Sequence, residues 1–460
     1  MVFSSSVFLL VFLPAVFLLN LAVGKRGSNW LLLLASLLFY AWGEPRLVVL
    51  IMASIVFNWA VGLWIEKSKR PGLALALGVV CDLGVLGYYK YSGFLVSILN
   101  TLARSALPVP KIALPIGISF FTFQAISYIA DVYRGDTQAS KRLSNVALYI
   151  SFFPQLIAGP IVKYKDIDLQ IRDRTITAPK VSAGFRRFTY GLGKKVLISN
   201  LLGLCADRVF GDLSTVNGLA AWIGALSYTF QIYYDFSGYS DMAIGLGKMF
   251  GFDIPENFNY PYLSRSISEF WRRWHISLSS WFREYVYIPL GGNRKGTGRT
   301  YLNLFVVFFL TGIWHGAGFT FLLWGLYHGF LSILERLWLG KALKKVPVLA
   351  TAYCFLAVVF GWVLFRAADV GSAVSMLARM LTPWRYASIR TDLSFVTGKT
   401  LFVALCGLVG CGWLQRIVPA RVKETWRDSI PEALWCIGIL LLSIASIASD
   451  TYNPFIYFQF

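Results

Sequence analysis

The sequence predicts an all-α protein: a polytopic transmembrane helical bundle of about eleven membrane-crossing helices, with additional interfacial or re-entrant helices. Of the 460 residues, 57% are hydrophobic and 14% are charged, whereas about a quarter of an ordinary soluble domain is charged. The apolar residues form runs of about 20, which is the length of a membrane-spanning helix. Because lipid offers the backbone no hydrogen-bond partners, these spans should be helices. We expect one integral-membrane domain covering residues 1–460.

The apolar runs follow one another along the chain. They cover residues 2–24, 30–42, 47–65, 72–88, 91–106, 112–131, 144–162, 189–206, 218–236, 302–337, 348–365, 398–415 and 433–449. A polar basic loop is predicted at 163–187. The stretch 252–300 is rich in aromatic residues and arginine and cannot simply cross lipid. No internal repeat is detectable. This disfavours a transporter, since many transporters are built from repeated halves.

The formal net charge of +20 comes from short basic clusters between the apolar runs. This placement indicates cytoplasmic loops in contact with anionic membrane lipid, and it disfavours nucleic acid as a partner. The clusters at 25–26, 66–70 and 163–187 are therefore predicted to be cytoplasmic, and the turn at 43–46 periplasmic. The N-terminus has no basic region typical of a cleavable signal, so it is predicted to be the first span, starting in the periplasm.

Several classes of site are disfavoured by spacing. The six cysteines form no C-x-x-C pair, and no His, Asp or Glu set has metal-ligand spacing, so no metal site is expected. Residues 191–195 lack the pattern of a phosphate-binding loop. No G-x-S-x-G nucleophile motif is present.

Residues 266–288 predict one amphipathic helix. Ser266 and Glu269 have the spacing of a capping box, and apolar residues recur at helical spacing until Pro289. His275 lies at the edge of the apolar face, where it is either a packed interface histidine or a site residue facing inward.

His315 lies in a nearly uncharged run, flanked by Gly312, Gly316 and Gly318. Intramembrane ionisable residues usually face a cavity and serve function, although a histidine hydrogen-bonded between packed helices is the alternative. His328 follows 13 residues later. On a continuous helix it would lie about 20 Å further along and on another face, so we interpret it as structural.

Several stretches resemble the membrane-bound O-acyltransferase family, specifically its bacterial alginate O-acetyltransferase branch. The strongest are FNYPYLSRSISEFWRRWHISLSSWFREYVYIPLGGNRKG at 258–296 and LTGIWHGAGFTFLLWGLYHG at 310–329. Others are PIGISFFTFQAISYIADVYRG at 115–135, FFPQLIAGPIVKY at 152–164, YYDFSGYSDMAIGLGKMFG at 233–251 and NPFIYFQF at 453–460. The resemblance therefore spans nearly the full chain in order.

The resemblance implies a helical enzyme of the bacterial inner membrane with catalytic residues at His315 and His275. It implies transfer of acetyl from a cytoplasmic thioester, acetyl-coenzyme A, to an exported polysaccharide such as alginate or cellulose. No permanently bound cofactor is expected, the donor-binding residues are not identified, and a periplasmic acetyltransferase partner is implied.

The chemistry of the residues fits this expectation. A neutral buried histidine can remove the hydroxyl proton of an acceptor, which assigns that role to His315. His275 would orient the donor or the developing oxyanion. Two alternatives stay open: a D-alanyl transferase acting on teichoic acid, and a non-enzymatic polysaccharide or lipid transporter.

Overall fold

The computed structural model describes residues 1–449, 452–453 and 455–456. Within these residues all regular structure is helical, which confirms the predicted all-α membrane fold. Of the family-like stretch at 453–460, residues 454 and 457–460 lie outside the described part. Six described helical segments are long and apolar enough to cross a membrane: Phe8–Gly43, Val48–Lys67, Pro71–Ala103, Pro347–Arg366, Gly398–Ile417 and Ile430–Ser449. The count of about eleven crossings stays a prediction that needs the shorter or more polar helices as well.

The chain divides into two compact units. The first contains Met1–Phe188 and Ser240–Glu256, and the second contains Thr189–Tyr239 and Asn257–Phe460. The single domain at 1–460 stays a prediction, and each unit is described by itself below.

The first unit begins with a π-helical turn at Phe8–Phe12. Its helices are α1 (Leu13–Gly43), α2 (Val48–Lys67), α3 (Pro71–Ala103), α4 (Ile118–Arg134), α5 (Leu143–Ser151), α6 (Phe153–Leu156), α7 (Tyr164–Arg172) and most of α8 (Ala178–Gly193). The end of α10 (Gly218–Met249) also belongs to it.

The second unit holds most of α10 and the remaining helices. These are α9 (Asn200–Gly211), α11 (Ile267–Arg273), α12 (Ile276–Phe282), α13 (Thr297–His315), α14 (Phe319–Leu334), α15 (Gly340–Leu343), α16 (Pro347–Arg366), α17 (Val370–Leu381), α18 (Gly398–Leu408), α19 (Leu414–Ile417), α20 (Ala420–Trp426) and α21 (Ile430–Ser449). Further π-helical turns lie at Lys194–Ser199, Arg283–Tyr287, Glu335–Leu339 and Val409–Trp413, and 3₁₀ turns at Leu213–Thr215, Pro261–Leu263 and Pro383–Tyr386.

The N-terminal segment is a tight hairpin. Gly24 has φ +62° and ψ −171°, a conformation that interrupts α1 and that glycine adopts without steric cost. Ser28 Oγ donates to Asn20 Oδ1 at 2.7 Å, although eight residues of continuous helix would separate them by about 12 Å. The Phe12 and Phe39 rings are 5.7 Å apart. Two antiparallel arms therefore occupy the predicted runs 2–24 and 30–42.

Three predicted boundaries in the first unit are wrong. The runs 72–88 and 91–106 form the single helix α3, because no glycine or proline breaks the sequence between them. The run 144–162 is split at Phe152, since Pro154 has no N–H to continue α5. The predicted loop 163–187 contains α7, whose Tyr164, Ile167 and Ile171 are buried at helical spacing.

The predicted run 302–337 contains a helical hairpin in the second unit. The arms α13 and α14 pack backbone to backbone: a Cβ at Gly312 would lie 2.6 Å from the Phe321 carbonyl oxygen, and one at Gly325 would meet the Phe308 carbonyl oxygen. The reversal occurs at Gly316 to Gly318, both of which have extended backbone. The assumption of one continuous helix through His315 and His328 is therefore wrong.

The membrane orientation is a testable prediction. We expect the α1–α2 turn to face the periplasm and the loop after α2 to face the cytoplasm, because the basic cluster 66–70 follows α2. Single cysteines at the exposed positions Arg46 and Lys69, in a cysteine-free background, should differ in intact cells. An impermeant maleimide should label position 46 only. Labelling of position 69 alone would show that the orientation is the opposite of the predicted one. Permeabilised cells provide the control that both cysteines react with the maleimide.

Candidate active site

The core of the second unit is unusually aromatic. Buried residues from α10, α11, α14 and α16 pack together, among them Tyr228, Phe236, Trp274, Trp324 and Trp362. The Trp274 and Trp362 rings lie 4.8 Å apart, and the Trp324 and Trp362 rings are stacked at 6.0 Å. An imidazole inside this cluster is surrounded mainly by ring faces and edges.

His315 is the last residue of α13 and lies inside this cluster. Its side chain is buried, and its ring is 4.9 Å from the rings of both Trp314 and Trp324 and 5.2 Å from that of Phe365. The hairpin fixes this position, since α13 ends there and Gly316 starts the reversal. A Cβ at Gly316 would collide with the Phe321 ring, so the turn requires glycine.

The predicted amphipathic helix at 266–288 is broken at His275. Helix α11 ends at Arg273, α12 begins at Ile276, and His275 between them has φ +46° and ψ +53°. Ser266 Oγ accepts from Glu269 N, which confirms the predicted N-cap. The Glu269 carboxylate accepts from Arg265 N instead of completing the reciprocal capping box.

The break has a long-range cause centred on Asn257. Ile276 N donates to the Asn257 carbonyl oxygen at 3.0 Å, and Ser277 N donates to Asn257 Oδ1 at 3.2 Å. The Arg273 carbonyl accepts from Asn259 N at 2.9 Å. Backbone N–H and C=O groups that a continuous helix would pair internally thus form hydrogen bonds with the 257–259 segment.

The same asparagine orients His275. Asn257 Oδ1 accepts from Ser277 N and from Ser277 Oγ, and His275 Nδ1 lies 3.3 Å from it. An oxygen that already accepts from a backbone N–H favours the tautomer in which Nδ1 carries the proton and donates to it. Burial lowers the pKa of His275 to about 3. The His275 ring is therefore neutral, with the proton on Nδ1 and the lone pair on Nε2.

The structure brings His275 and His315 together around Trp314. The Trp314 ring is 6.1 Å from that of His275 and 4.9 Å from that of His315. The two imidazole centroids are therefore at most about 11 Å apart. His275 also contacts Phe236 at 4.6 Å, edge to face.

His328 lies nearer to His315 than the sequence suggested. The Trp324 ring is 4.9 Å from that of His315 and 5.2 Å from that of His328. The expected separation of about 20 Å is wrong because α14 runs back along α13. Neither ring nitrogen of His328 has a hydrogen-bond partner among the described residues. Its ring packs between Phe270, at 6.3 Å, and Trp271, at 5.3 Å.

Two residues of the site, Trp314 and Asn257, were not identified from the sequence. Trp314 adjoins His315 and is the shared neighbour of both histidines. Asn257 lies in the irregular stretch between α10 and α11, where no periodicity marks a role. Only the excess of aromatic residues around 258–282 hinted that this stretch is a core.

Comparison with known proteins agrees with this geometry. A profile of the membrane-bound O-acyltransferase family matches residues 85–365, which include His275 and His315. The chain is 44% identical to a probable alginate O-acetylase of Pseudomonas putida, with the whole of both chains covered. It is 37% identical to a peptidoglycan O-acetyltransferase of Helicobacter pylori, over 83% of this chain and 80% of the relative.

A teichoic acid D-alanyltransferase of Bacillus subtilis is more distant. It is 29% identical over 54% of this chain and 68% of its own length. The full-length similarity, the family profile and the apolar spans agree on a multi-pass membrane enzyme that is an O-acyltransferase. The chain belongs to the membrane-bound O-acyltransferase family.

Proposed function

We propose that this protein takes acetyl from a cytoplasmic thioester, acetyl-coenzyme A, for O-acetylation of an exported polysaccharide such as alginate or cellulose. The observation that carries the proposal is the pair of buried histidines around Trp314. The full-length similarity to an alginate O-acetylase supports acetyl as the transferred group. The protein would act in the bacterial inner membrane, with its N-terminus in the periplasm.

His315 is the base in this proposal. Its neutral imidazole accepts the proton of the acceptor hydroxyl as that oxygen attacks the thioester carbonyl carbon. The tetrahedral intermediate then collapses, the C–S bond breaks, and the thiolate leaves and takes up the proton that His315 held. The products are an acetyl ester and a free thiol, so acetyl-coenzyme A is consumed as a substrate and the step needs no permanently bound cofactor.

His275 is the positioning residue in this proposal. With its proton on Nδ1 and directed at Asn257 Oδ1, its Nε2 accepts a hydrogen bond and does not donate one. Of the two roles expected for it, orientation of a donor or acceptor group that carries an N–H or O–H is therefore favoured over contact with the oxyanion.

Loss of the protein should remove O-acetyl groups from an exported polymer without stopping polymer synthesis. The measurement is acetyl ester per sugar in a deletion strain, in the strain complemented with the wild-type gene, and in the strain complemented with His315→Ala. We expect restoration by the wild type only. Unchanged ester content in every surface polymer after deletion would refute the proposed function.

Donor dependence separates the proposal from D-alanyl transfer. Membrane vesicles that contain the protein should consume acetyl-coenzyme A, whereas a D-alanyl transferase requires a carrier-protein thioester. We further propose that a periplasmic acetyltransferase partner completes delivery to the polymer. If so, deletion of that partner should abolish polymer acetylation while vesicles still consume acetyl-coenzyme A.

A further inference from the structure

A basic cavity lies in the second unit, and neither His275 nor His315 lines it. Its volume is about 370 Å³, and its walls come from α11, from the π-helical turn after α14 and from the segment leading into α16. Four cationic side chains line it: Arg265, Arg272, Arg336 and Lys344. Two carboxylates, Glu269 and Glu335, line it as well.

The carboxylates are already engaged with the protein itself. Glu269 pairs with Arg273 at 2.8 Å and accepts from Arg265 N. The Glu335 oxygens accept from Ile267 N at 2.6 Å and Ser268 N at 3.3 Å, at the start of α11. Within the described chain, none of the four cations forms a salt bridge with a carboxylate. The cavity therefore has a positive charge that the protein does not neutralise.

The cavity lies at the level where a membrane span ends. Pro347, which lines it, begins α16, one of the helices long and apolar enough to cross a bilayer. Exposed apolar side chains adjoin its lining residues in sequence: Leu337, Trp338, Val348 and Leu349. A tryptophan beside basic residues at the end of a span is typical of the headgroup region.

A second cavity provides a contrast. It lies in the first unit, measures about 280 Å³ and is also lined by basic residues. There Arg172 pairs with Asp168, and Lys25 pairs with Asp173. Arg174 donates to Ser28, Asn29 and the Phe250 carbonyl. Those cations already have protein partners, whereas among the described residues no side-chain hydrogen bond or salt bridge holds the cations of the 370 Å³ cavity.

We propose that the 370 Å³ cavity binds the phosphate headgroup of an anionic membrane phospholipid. The anionic phosphate is attracted by the four cations and offsets part of their charge, and the acyl chains lie along the exposed apolar residues at the start of α16. The loop carries Arg336, Lys341, Lys344 and Lys345, and this cluster of basic residues favours the cytoplasmic side, where the anionic leaflet faces. The site is independent of the proposed acetyl transfer.

The test measures lipid binding by the purified full-length protein. Native mass spectrometry and thermal unfolding are followed as phosphatidylglycerol or phosphatidylcholine is added to detergent micelles. We expect phosphatidylglycerol alone to bind and to raise the Tm of the wild type. The triple variant R272Q/R336Q/K344Q should bind it about 100-fold more weakly, since each basic residue near an anionic surface contributes about fivefold.

Matched variants separate this site from general charge attraction. K67Q/K69Q/R70Q removes three exposed cations elsewhere and should bind phosphatidylglycerol as the wild type does. R272K/R336K keeps the charge and should retain most binding. If the first triple variant does not fold, single Arg336→Gln, at an exposed position, is measured instead. Equally weakened phosphatidylglycerol binding in R272Q/R336Q/K344Q and K67Q/K69Q/R70Q would refute the proposal.

A soluble phosphate ligand is the competing source of the same chemistry. Coenzyme A is therefore titrated in parallel with both triple variants. Unchanged coenzyme A affinity together with lost phosphatidylglycerol binding in R272Q/R336Q/K344Q supports the lipid site. Lost coenzyme A affinity with unchanged phosphatidylglycerol binding would overturn it, because the cavity would then hold the soluble ligand.

Discussion

Replacing His315 with alanine should abolish acyl transfer while the protein still folds and accumulates in the membrane. A positioned general base contributes about 10²- to 10⁴-fold to the rate, and the rings of Trp314, Trp324 and Phe365 pack around His315. The measurement is thioester consumption in vesicles that contain equal amounts of each variant. Activity within tenfold of the wild type would remove His315 from the mechanism.

His328→Gln is the matched control for that experiment. Both histidines are buried and both contact Trp324, so loss of either costs packing in the same cluster. We expect His328→Gln to keep most of the activity, because its ring packs between Phe270 and Trp271 without a hydrogen bond to any described residue. Loss of activity in both variants with lowered Tm would indicate a packing effect only.

His275→Ala should reduce transfer by about 10²-fold, which is the loss caused by misplacing a reacting group by about 1 Å. The break between α11 and α12 is held by Asn257, so the backbone should persist in the variant. We expect the loss to divide between KM for the thioester and kcat. An unchanged rate at equal membrane abundance would contradict a positioning role.

Asn257→Asp tests the same contact through pH. Burial lowers the pKa of His275 to about 3, so the wild-type ring is neutral throughout the physiological range. A carboxylate at position 257 would stabilise the imidazolium and raise that pKa. Activity of the variant should therefore fall as the pH drops through the raised pKa, whereas the wild type shows no such ionisation. A pH profile identical to that of the wild type would argue against contact between these side chains.

Local signals in the sequence were sufficient for much of the fold. The basic pair Lys25-Arg26 marked the division between two apolar runs, and the structure places a reversal at the neighbouring Gly24. The N-cap at Ser266 was also predictable, because capping depends on residues three apart. Where these signals were weak, as between residues 88 and 91, the predicted boundary was wrong.

Long-range pairing limited the prediction of the site. Nothing near His275 in sequence indicates that Asn257, 18 residues earlier, interrupts the helix. The glycines around His315 correctly indicated a close approach, but they did not reveal that the partner was the returning backbone of α14. The distance between His315 and His328 was wrong for the same reason.

The glycine pair at 312 and 325 gives the hairpin a sequence signature that does not depend on the histidine. A side chain at either position would strike the opposite backbone, so a larger residue at one cannot be offset by a smaller one at the other. The packing requirement at positions 312 and 325 therefore stays even where the histidine is replaced. On the proposed role of His315, a relative that keeps glycine three residues before and ten residues after a substituted histidine would be an inactive descendant, or pseudoenzyme, with the same hairpin.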